Sequence, residues 1–567
     1  MALSKFILTQ FVQTRCLAAL PAFSTLGDDL KDAWARACEV HAPLIRECLD
    51  RHLDHGDVEA YDVALSIVAR VPLELVGLTN LRSRVSTFGI EDPSRGGEIV
   101  EVAVPGVGDS RADPGEDQDE FEHIPYDGVP LSPDEVATVQ AKSAASAARA
   151  NRPGVAFQRM LSPGSTPATK GFADKTAGMH RKRNGVLRGA RNLPRNVPQL
   201  AISPEKILRQ IRDRAGTASS SIGPLGWSEE FFLPLRFGTD GVPDKDTFIW
   251  QVARMLFIAV RGKVSKLAAL LLTAGKSTSL FKDPPEVRMD QAADDQRVRP
   301  IVAGTVLLKF ILKGALADPT GQRVLKVLSK HNKALGTSGG PEMVVFESSA
   351  QYESGAAIST TDMTNAFNEF DSEHLFESIT ELWPESFCLW AFIYGIDSLI
   401  FFQYYDQSTG RLIFMFIWCQ VGSKMGCTWG SIAIGLVLHL FVYGPLNAEF
   451  ASHEAISITD DSFAFLRPTA PNESGWQEAY RMHATYIERF TELANVVGLD
   501  FNWSKPWLLL PAGAPRPDAD AGLPGGLQIT WSGIVVAGAP VGTVAFKQQH
   551  ATAFFDGLSY RINGMPS

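Results

Sequence analysis

Three separated stretches of the chain carry side chains that could do metal-assisted chemistry. The first, Ala357-Ile-Ser-Thr-Thr-Asp362, is a β-prone run ending in an aspartate, and a carboxylate at a strand end is offered to a cation on a fixed platform. In the second, Ile456 and Ile458 alternate on one side of Asp460-Asp461, while Phe463 and Phe465 alternate on the other. That is the pattern of a β-hairpin with two acids at its tip. Charge set between apolar strands needs a partner, and a divalent cation is the natural one. Adjacent aspartates also occur at Asp28-Asp29 and Asp294-Asp295, in polar surroundings that imply nothing. The third stretch, Gln420-Val-Gly422-Ser-Lys424-Met-Gly426-Cys-Thr-Trp-Gly430-Ser, is a glycine-rich approach to a long apolar run. Glycines allow a backbone to come close to a ligand, and they serve a tight packing turn equally well.

In the order carboxylate, glycine loop, double carboxylate, these stretches resemble motifs A, B and C of polymerase palm domains, and most closely those of reverse transcriptases from non-LTR (LINE-type) retrotransposons. Asp362-Met-Thr-Asn-Ala-Phe367-Asn resembles the D-x-x-N-A-F-N of that family. The glycine loop resembles its G-x-Q-x-G-x-x-x-G-S, and Ile458-Thr-Asp460-Asp461 resembles (Y/F)-x-D-D. Accessory segments follow in the same order. Gly223-Pro-Leu-Gly226-Trp227-Ser228 is similar to G-P-x-G-W-T, and Arg297-Val-Arg299-Pro300-Ile301 to the V-R-P-I of the fingers. Gly498-Leu-Asp-Phe-Asn-Trp-Ser504-Lys505 is similar to motif D, and Gly538-Ala-Pro540-Val-Gly542 to an element just past the palm.

The resemblance implies RNA-directed DNA synthesis with two magnesium ions, manganese being an alternative. Asp362 and Asp460 would bridge both ions, Asp461 would support them, and Lys505 would donate a proton to departing pyrophosphate. Arg297, Arg299 and Lys282 would clamp the triphosphate. Gly426 and Lys424 would border the nucleotide, and Phe367 would act as a steric gate against a ribose 2′-hydroxyl. Gly538, Pro540 and Gly542 would touch nucleic acid. The implied partners are an RNA template, a DNA primer and dNTPs. Two positions depart from the pattern: Ile458 replaces an aromatic residue, and Lys424 stands where glutamine is usual. An RNA-copying RNA polymerase, or an inert palm that only binds nucleic acid, would share much of this pattern.

The elements that must position these residues imply an α+β fold, fingers and a palm with an antiparallel sheet packed on helices. Fingers are expected over 201–345 and the palm over 346–549. Ser203, Pro204 and Glu205 are suited to cap and open a helix over 204–215. Ser228 can cap another through Phe231, Phe232 and Leu235, and Ser372 precedes one over 373–383. Residues 1–88 are expected to be a helical region of unknown function, in which Cys38, His41, Cys48 and His52 have spacings that zinc could use. Residues 89–200 are rich in Gly, Pro, Ser and charge, which predicts a disordered linker. Its acids cluster at Asp113, Glu116, Asp117, Asp119, Glu120 and Glu122, and its bases at Lys175, Arg181, Lys182, Arg183, Arg188, Arg191 and Arg195. The basic run could grip phosphates. Only 25 residues follow Gly542, so 550–567 reads as a short tail without room for a helical thumb. A thumb-bearing or endonuclease partner would complete the machine.

Composition narrows the class without naming it. Hydrophobic residues make up 45% of 567, enough for a sizeable core. A net charge of −10 argues against wholesale nucleic-acid binding but not against a local basic groove. Six cysteines are too few for a disulfide scaffold, so an intracellular, reducing setting, nuclear or cytoplasmic, is the expectation. The first 27 residues hold Lys5 and Arg15 but no acid, which is compatible with an organelle presequence. Leu412–Trp418 and Ile432–Leu446 fall short of a bilayer span and read as buried core, so no membrane is expected.

Overall fold

In the computed structural model the described residues are 28–72, 87–91, 99–103, 162, 165–191, 199–215, 223–236, 244–262, 264–283, 291–292, 295–406, 408, 411–450 and 454–563. The first 27 residues, the acidic cluster from Asp113 to Glu122, and Arg195 lie outside them.

The chain folds as mixed α/β. Among the described residues, helices α1 (Asp28–His55) and α2 (Val58–Arg70) come first. One face of α1 repeats Trp34, Cys38, Ala42, Ile45, Leu49 and His52 at helical spacing, and all six are buried. That face shares a single core with helix α5 (Phe248–Val260) and with the Trp227 turn. Three polar tips secure the contact. The Trp34 indole donates to Phe231 O at 2.9 Å, the Trp227 indole to Val68 O at 2.9 Å, and the Tyr61 hydroxyl to Met255 O at 3.0 Å. The N-terminal helices are therefore part of the body that follows them in sequence, not a separate unit. Cys38, Cys48 and His52 serve its packing, and His52 Nδ1 lies 2.9 Å from Asp57 O. No metal-binding cluster forms there among the described residues.

The segment expected to be a disordered linker holds strands β1 (Thr87–Glu91) and β2 (Ile99–Ala103) and helix α3 (Lys170–Gly178). Phe172, Ala173 and Thr176 of α3 bury against a sheet, with Phe172 edge-on to Phe281. A strap then runs to Arg191, fixed by Arg183 to Asp397 at 2.6 Å and by the Gly189 amide to Glu373 at 2.6 Å. These anchors are single side chains meeting distant partners, so no local period announces them.

Helix α4 (Pro204–Arg214) starts where the cap is expected, with Ser203 Oγ accepting from Lys206 N at 3.3 Å. After Ser228 only a 3-10 turn forms, Glu229–Phe232, in place of the longer helix. Helix α6 (Lys266–Thr273) leads into β3 (Gly275–Phe281) and β4 (Val298–Gly304). Helices α7 (Val306–Leu316), α8 (Pro319–Leu328) and α9 (Gly340–Glu353) follow, then β5 (Ala357–Thr361), α10 (Ser372–Leu382), α11 (Phe387–Tyr394), β6 (Ser398–Asp406) and β7 (Arg411–Cys419). Asp371, one residue before the expected Ser372, caps α10.

Gly430–Leu438 forms α12, prolonged by a π turn at His439–Tyr443 and a last helical stretch, Gly444–Glu449. This run has the length and apolarity to cross a bilayer, but it is packed into the largest core. The remaining elements are β8 (Glu454–Ile458), β9 (Asp461–Leu466), α13 (Glu473–Val496), β10 (Trp507–Leu509), β11 (Gln528–Thr530), β12 (Gly533–Val536), β13 (Ala539–Gly542) and α14 (Val544–Asn563). The expected short tail is thus mostly helix.

Two sheets carry the architecture, with strand orders β2-β1-β7-β6-β3-β4 and β11-β10-β5-β9-β8. Both are mixed: β1 runs parallel to β7, β3 to β6 and β10 to β11, where an antiparallel sheet was expected. The five-stranded sheet is covered on both faces. Ile358, Ile456, Phe463 and Phe465 meet Val344 of α9 and the β12–β13 hairpin on one side, while Ala357 and Leu466 meet Tyr480 of α13 on the other. Strand β9 is buried along its length except at Asp461, so its acidic end emerges at the edge of a rigid platform.

Candidate active site

Register decides where the carboxylates meet. Strands β5 and β9 pair antiparallel, with Thr361 opposite Ser462. Asp362 and Asp461 therefore lie one step past that rung on neighbouring strands, where paired Cα atoms are about 5 Å apart. Strands β8 and β9 pair Ile458 with Asp461, which leaves Thr459 and Asp460 as a two-residue turn. Thr459 takes φ of 57°, a conformation that a β-branched residue adopts only under constraint.

The segment 498–505 closes on the same point. Thr364 N donates to Asp500 O at 2.8 Å, and Asn502 N donates to Asp362 O at 2.9 Å. Met363 and Phe501 form an isolated bridge between these bonds. The result is that Lys505 Nζ reaches Asp362 Oδ2 at 2.6 Å.

Burial pushes the Asp461 carboxyl up to about 7, and repulsion from Asp460 and Asp362 adds to it, while Lys505 and Arg299 oppose the shift. Asp460 is raised as well, first by burial and further by Asp362. Asp460 and Asp461 are thus both held above the ordinary aspartate range, a sign of too little positive charge around them. Among the described residues no three His, Cys, Asp or Glu side chains close around one point in a metal-binding arrangement. The ammonium of Lys505 is the cation that Asp362 holds in this structure. As hard oxygen donors at the ends of neighbouring strands, the aspartates fit a divalent cation in the chemistry of their donor atoms.

Within electrostatic reach of Asp362 is a group of cations where β3 ends and β4 begins: Lys282, Arg297 and Arg299. Val298, Pro300 and Val302 alternate inward, which sends Arg299 outward, and Arg299 has no ion-pair partner among the described residues. Burial lowers the Lys282 ammonium first, and Lys505 and Arg299 lower it further, which puts these three cations in one field with Asp362. Arg297 senses Asp362 too, but its guanidinium is engaged by Asp283, with Nε to Oδ2 at 2.9 Å. Sequence reading missed Asp283, since nothing in the V-R-P-I pattern signals an acid fourteen residues upstream.

The glycine loop joins both groups. Phe367 O accepts from Ser423 N at 2.5 Å, and a Cβ on Gly422 would lie 2.4 Å from that same oxygen. At Gly426 a Cβ would lie 2.6 Å from Val302 O, while Val302 N donates to Met425 O at 2.7 Å. These glycines are needed for backbone contact, and they bring Phe367 and β4 together.

Lys424 departs from its expected place beside a nucleotide. It is 3% exposed, and its Nζ donates to Thr273 O at 2.5 Å and to Ser398 Oγ at 2.6 Å. It fastens the end of α6 to the start of β6. Gly538, Pro540 and Gly542 lie in the β12–β13 hairpin, outside the two main sheets. Gly538 takes positive φ, and a Cβ on Gly542 would meet Ser532 O at 2.4 Å, so hairpin geometry already accounts for these two glycines.

No protein-family model matches the chain, and no curated protein matches it. Among solved structures, it is similar to telomerase from Candida albicans in complex with a fragment of telomeric RNA, at 11% identity and a TM-score of 0.30, covering 61% of this chain and 62% of that one. Apo telomerase from Candida tropicalis is similar at 10% identity and a TM-score of 0.30, covering 49% of this chain and 48% of that one. The match spans less than two thirds of either telomerase chain.

Proposed function

We propose that the chain is an RNA-directed DNA polymerase of the non-LTR retroelement type, extending a primer 3′ end with dNTPs. What supports the reading is the register that sets Asp362 beside Asp460-Asp461 at the ends of neighbouring strands, within the electrostatic reach of Lys282 and Arg299. In this reading, β3 and β4 belong to the fingers and the five-stranded sheet to the palm.

Asp362, Asp460 and Asp461 would hold two divalent cations, which when bound supply Lewis-acid activation of the primer hydroxyl and charge stabilisation of the leaving oxygen. The chain's own residues do the rest. Arg299 and Lys282 bind the triphosphate, and Arg297 joins them once a phosphate competes with Asp283 for its guanidinium. Lys505 supplies a proton to the leaving group from its place beside Asp362. Phe367, fixed through its carbonyl to the glycine loop, presents its ring to the sugar and disfavours a 2′-hydroxyl. The template is RNA and the primer DNA.

Primer extension on poly(A)/oligo(dT) with magnesium, comparing the full chain with Asp460→Asn, tests this reading. Extension by the wild type and its loss in the variant are expected. A wild type that adds no nucleotide, even with a thumb-bearing partner supplied, would overturn the polymerase reading in favour of an inert palm.

A further inference from the structure

We infer that Asn332 is a positioning residue that holds the Thr459-Asp460 turn in the conformation the paired aspartates need. The inference rests on the polymerase reading for its catalytic consequence, and on hydrogen bonds alone for its structural part.

Residues 331–333, in the loop between α8 and α9, lie alongside β8 as a short parallel addition, bridged at Asn332 and Ser457. Ser457 N donates to His331 O at 2.7 Å, and Lys333 N donates to Ser457 O at 2.8 Å. Beyond Ser457 the loop backbone turns away, because Asn332 Oδ1 also accepts from Ala334 N at 3.1 Å. The side chain then takes over. Asn332 Oδ1 accepts from Thr459 N at 3.1 Å, and Asn332 Nδ2 approaches Thr459 O at 3.4 Å. One primary amide thus mimics a peptide unit and adds a rung to the ladder, at the residue whose φ is 57°.

The clamp is enclosed. Asn332 is 3% exposed, and α12 passes beside it at Gly435, where a Cβ would lie in ordinary contact with Asn332 Nδ2 at 3.8 Å but only 2.5 Å from Leu335 Cδ1. A threonine at positive φ persists only when its surroundings hold it there, and the residue it aims is Asp460. Neither the acids nor the glycine loop contains the restraint. It comes from a loop some 130 residues upstream in sequence, with 127 residues separating the two partners.

The experiment uses the full chain and starts with hydrogen exchange resolved to single amides. Asn332→Ala is expected to speed exchange at the Thr459 amide by about tenfold or more, while the Ser457 amide, bonded to His331 O, stays protected. Unchanged exchange at Thr459, or equal loss of protection at Ser457, would overturn the clamp. Kinetics follow in a double-mutant cycle with Thr459→Gly, since glycine accepts positive φ without a restraint. Asn332→Ala should lower kcat by about a hundredfold with KM for dTTP little changed, and the penalty should shrink in the Thr459→Gly background. An equal penalty in both backgrounds would reduce Asn332 to general stability. Should the wild type fail to extend primers, the polymerase reading falls, whereas the exchange measurement still decides the clamp.

Discussion

Lys505 and Asp362 form an ion pair at 2.6 Å, although 143 residues separate them, because the backbone around Asp500–Asn502 is bonded directly to residues 362–364. The pair joins the proposed proton donor to a proposed metal ligand. Lys505→Ala should slow single-turnover nucleotide addition by about a hundredfold or more. Lys505→Arg keeps the positive charge but holds its proton too tightly to release it, so it should restore thermal stability and leave the rate low. Full recovery of rate in the arginine variant would assign Lys505 a purely electrostatic role.

Asp461 links the site to pH. Its carboxyl is raised from 3.8 to about 7 in the folded chain, so the neutral form is the one folding favours. The stability this group contributes is full below about pH 4 and is lost as pH climbs towards 7. In metal-free buffer Asp461→Asn should therefore melt at the same temperature as wild type near pH 4 and several degrees higher above pH 7. Asp461 is the exposed residue of β9, and screening by solvent reduces the difference. Added Mn2+ should stabilise the wild type more than the variant. A melting difference independent of pH would remove the charge crowding from the account.

Lys424 offers a test in which structure and nucleotide contact predict opposite results. Lys424→Ala removes a buried stem and one of the two donors to Thr273 O, which keeps the Ser398 hydroxyl at 3.0 Å, at a cost of about 2–4 kcal/mol. KM for dNTPs should stay within about twofold of wild type, and Lys424→Met, which refills the space, should recover part of the stability. Urea denaturation alongside steady-state kinetics checks both. A large rise in KM with unchanged stability would return Lys424 to the nucleotide.

The seating of the first helices is also measurable. Trp34→Ala should destabilise the whole chain by about 3–5 kcal/mol and leave one unfolding transition, as for any residue of a shared core. Two calorimetric transitions, with only one moved, would make residues 28–72 an independent unit.

The acids were legible because strand alternation and a tip of charge are local patterns, and the β5–β9 and β8–β9 pairings turn those patterns into a meeting point. What was not legible is long-range. Lys424 looks in sequence like any lysine beside glycines, and only Thr273 O and Ser398 Oγ, contributed by other elements, explain why it turns inward. The strap of residues 179–191 lacks apolar period because its anchors are Asp397 and Glu373, each far away in the chain. Asn332 carried no sequence signal, since an asparagine after a helix ordinarily needs no more than the local turn it also makes here.

The interlocking of α1 and α2 with α5 and the Trp227 turn constrains how such a chain can change. A fragment starting near residue 200 would begin life with Trp227, Phe231 and Met255 facing water, a sticky surface in place of a buried one. The opening helices are thus no detachable accessory that one lineage can drop and another acquire. Any replacement must reproduce the shape of that apolar seat, or the seat must be rebuilt along with it.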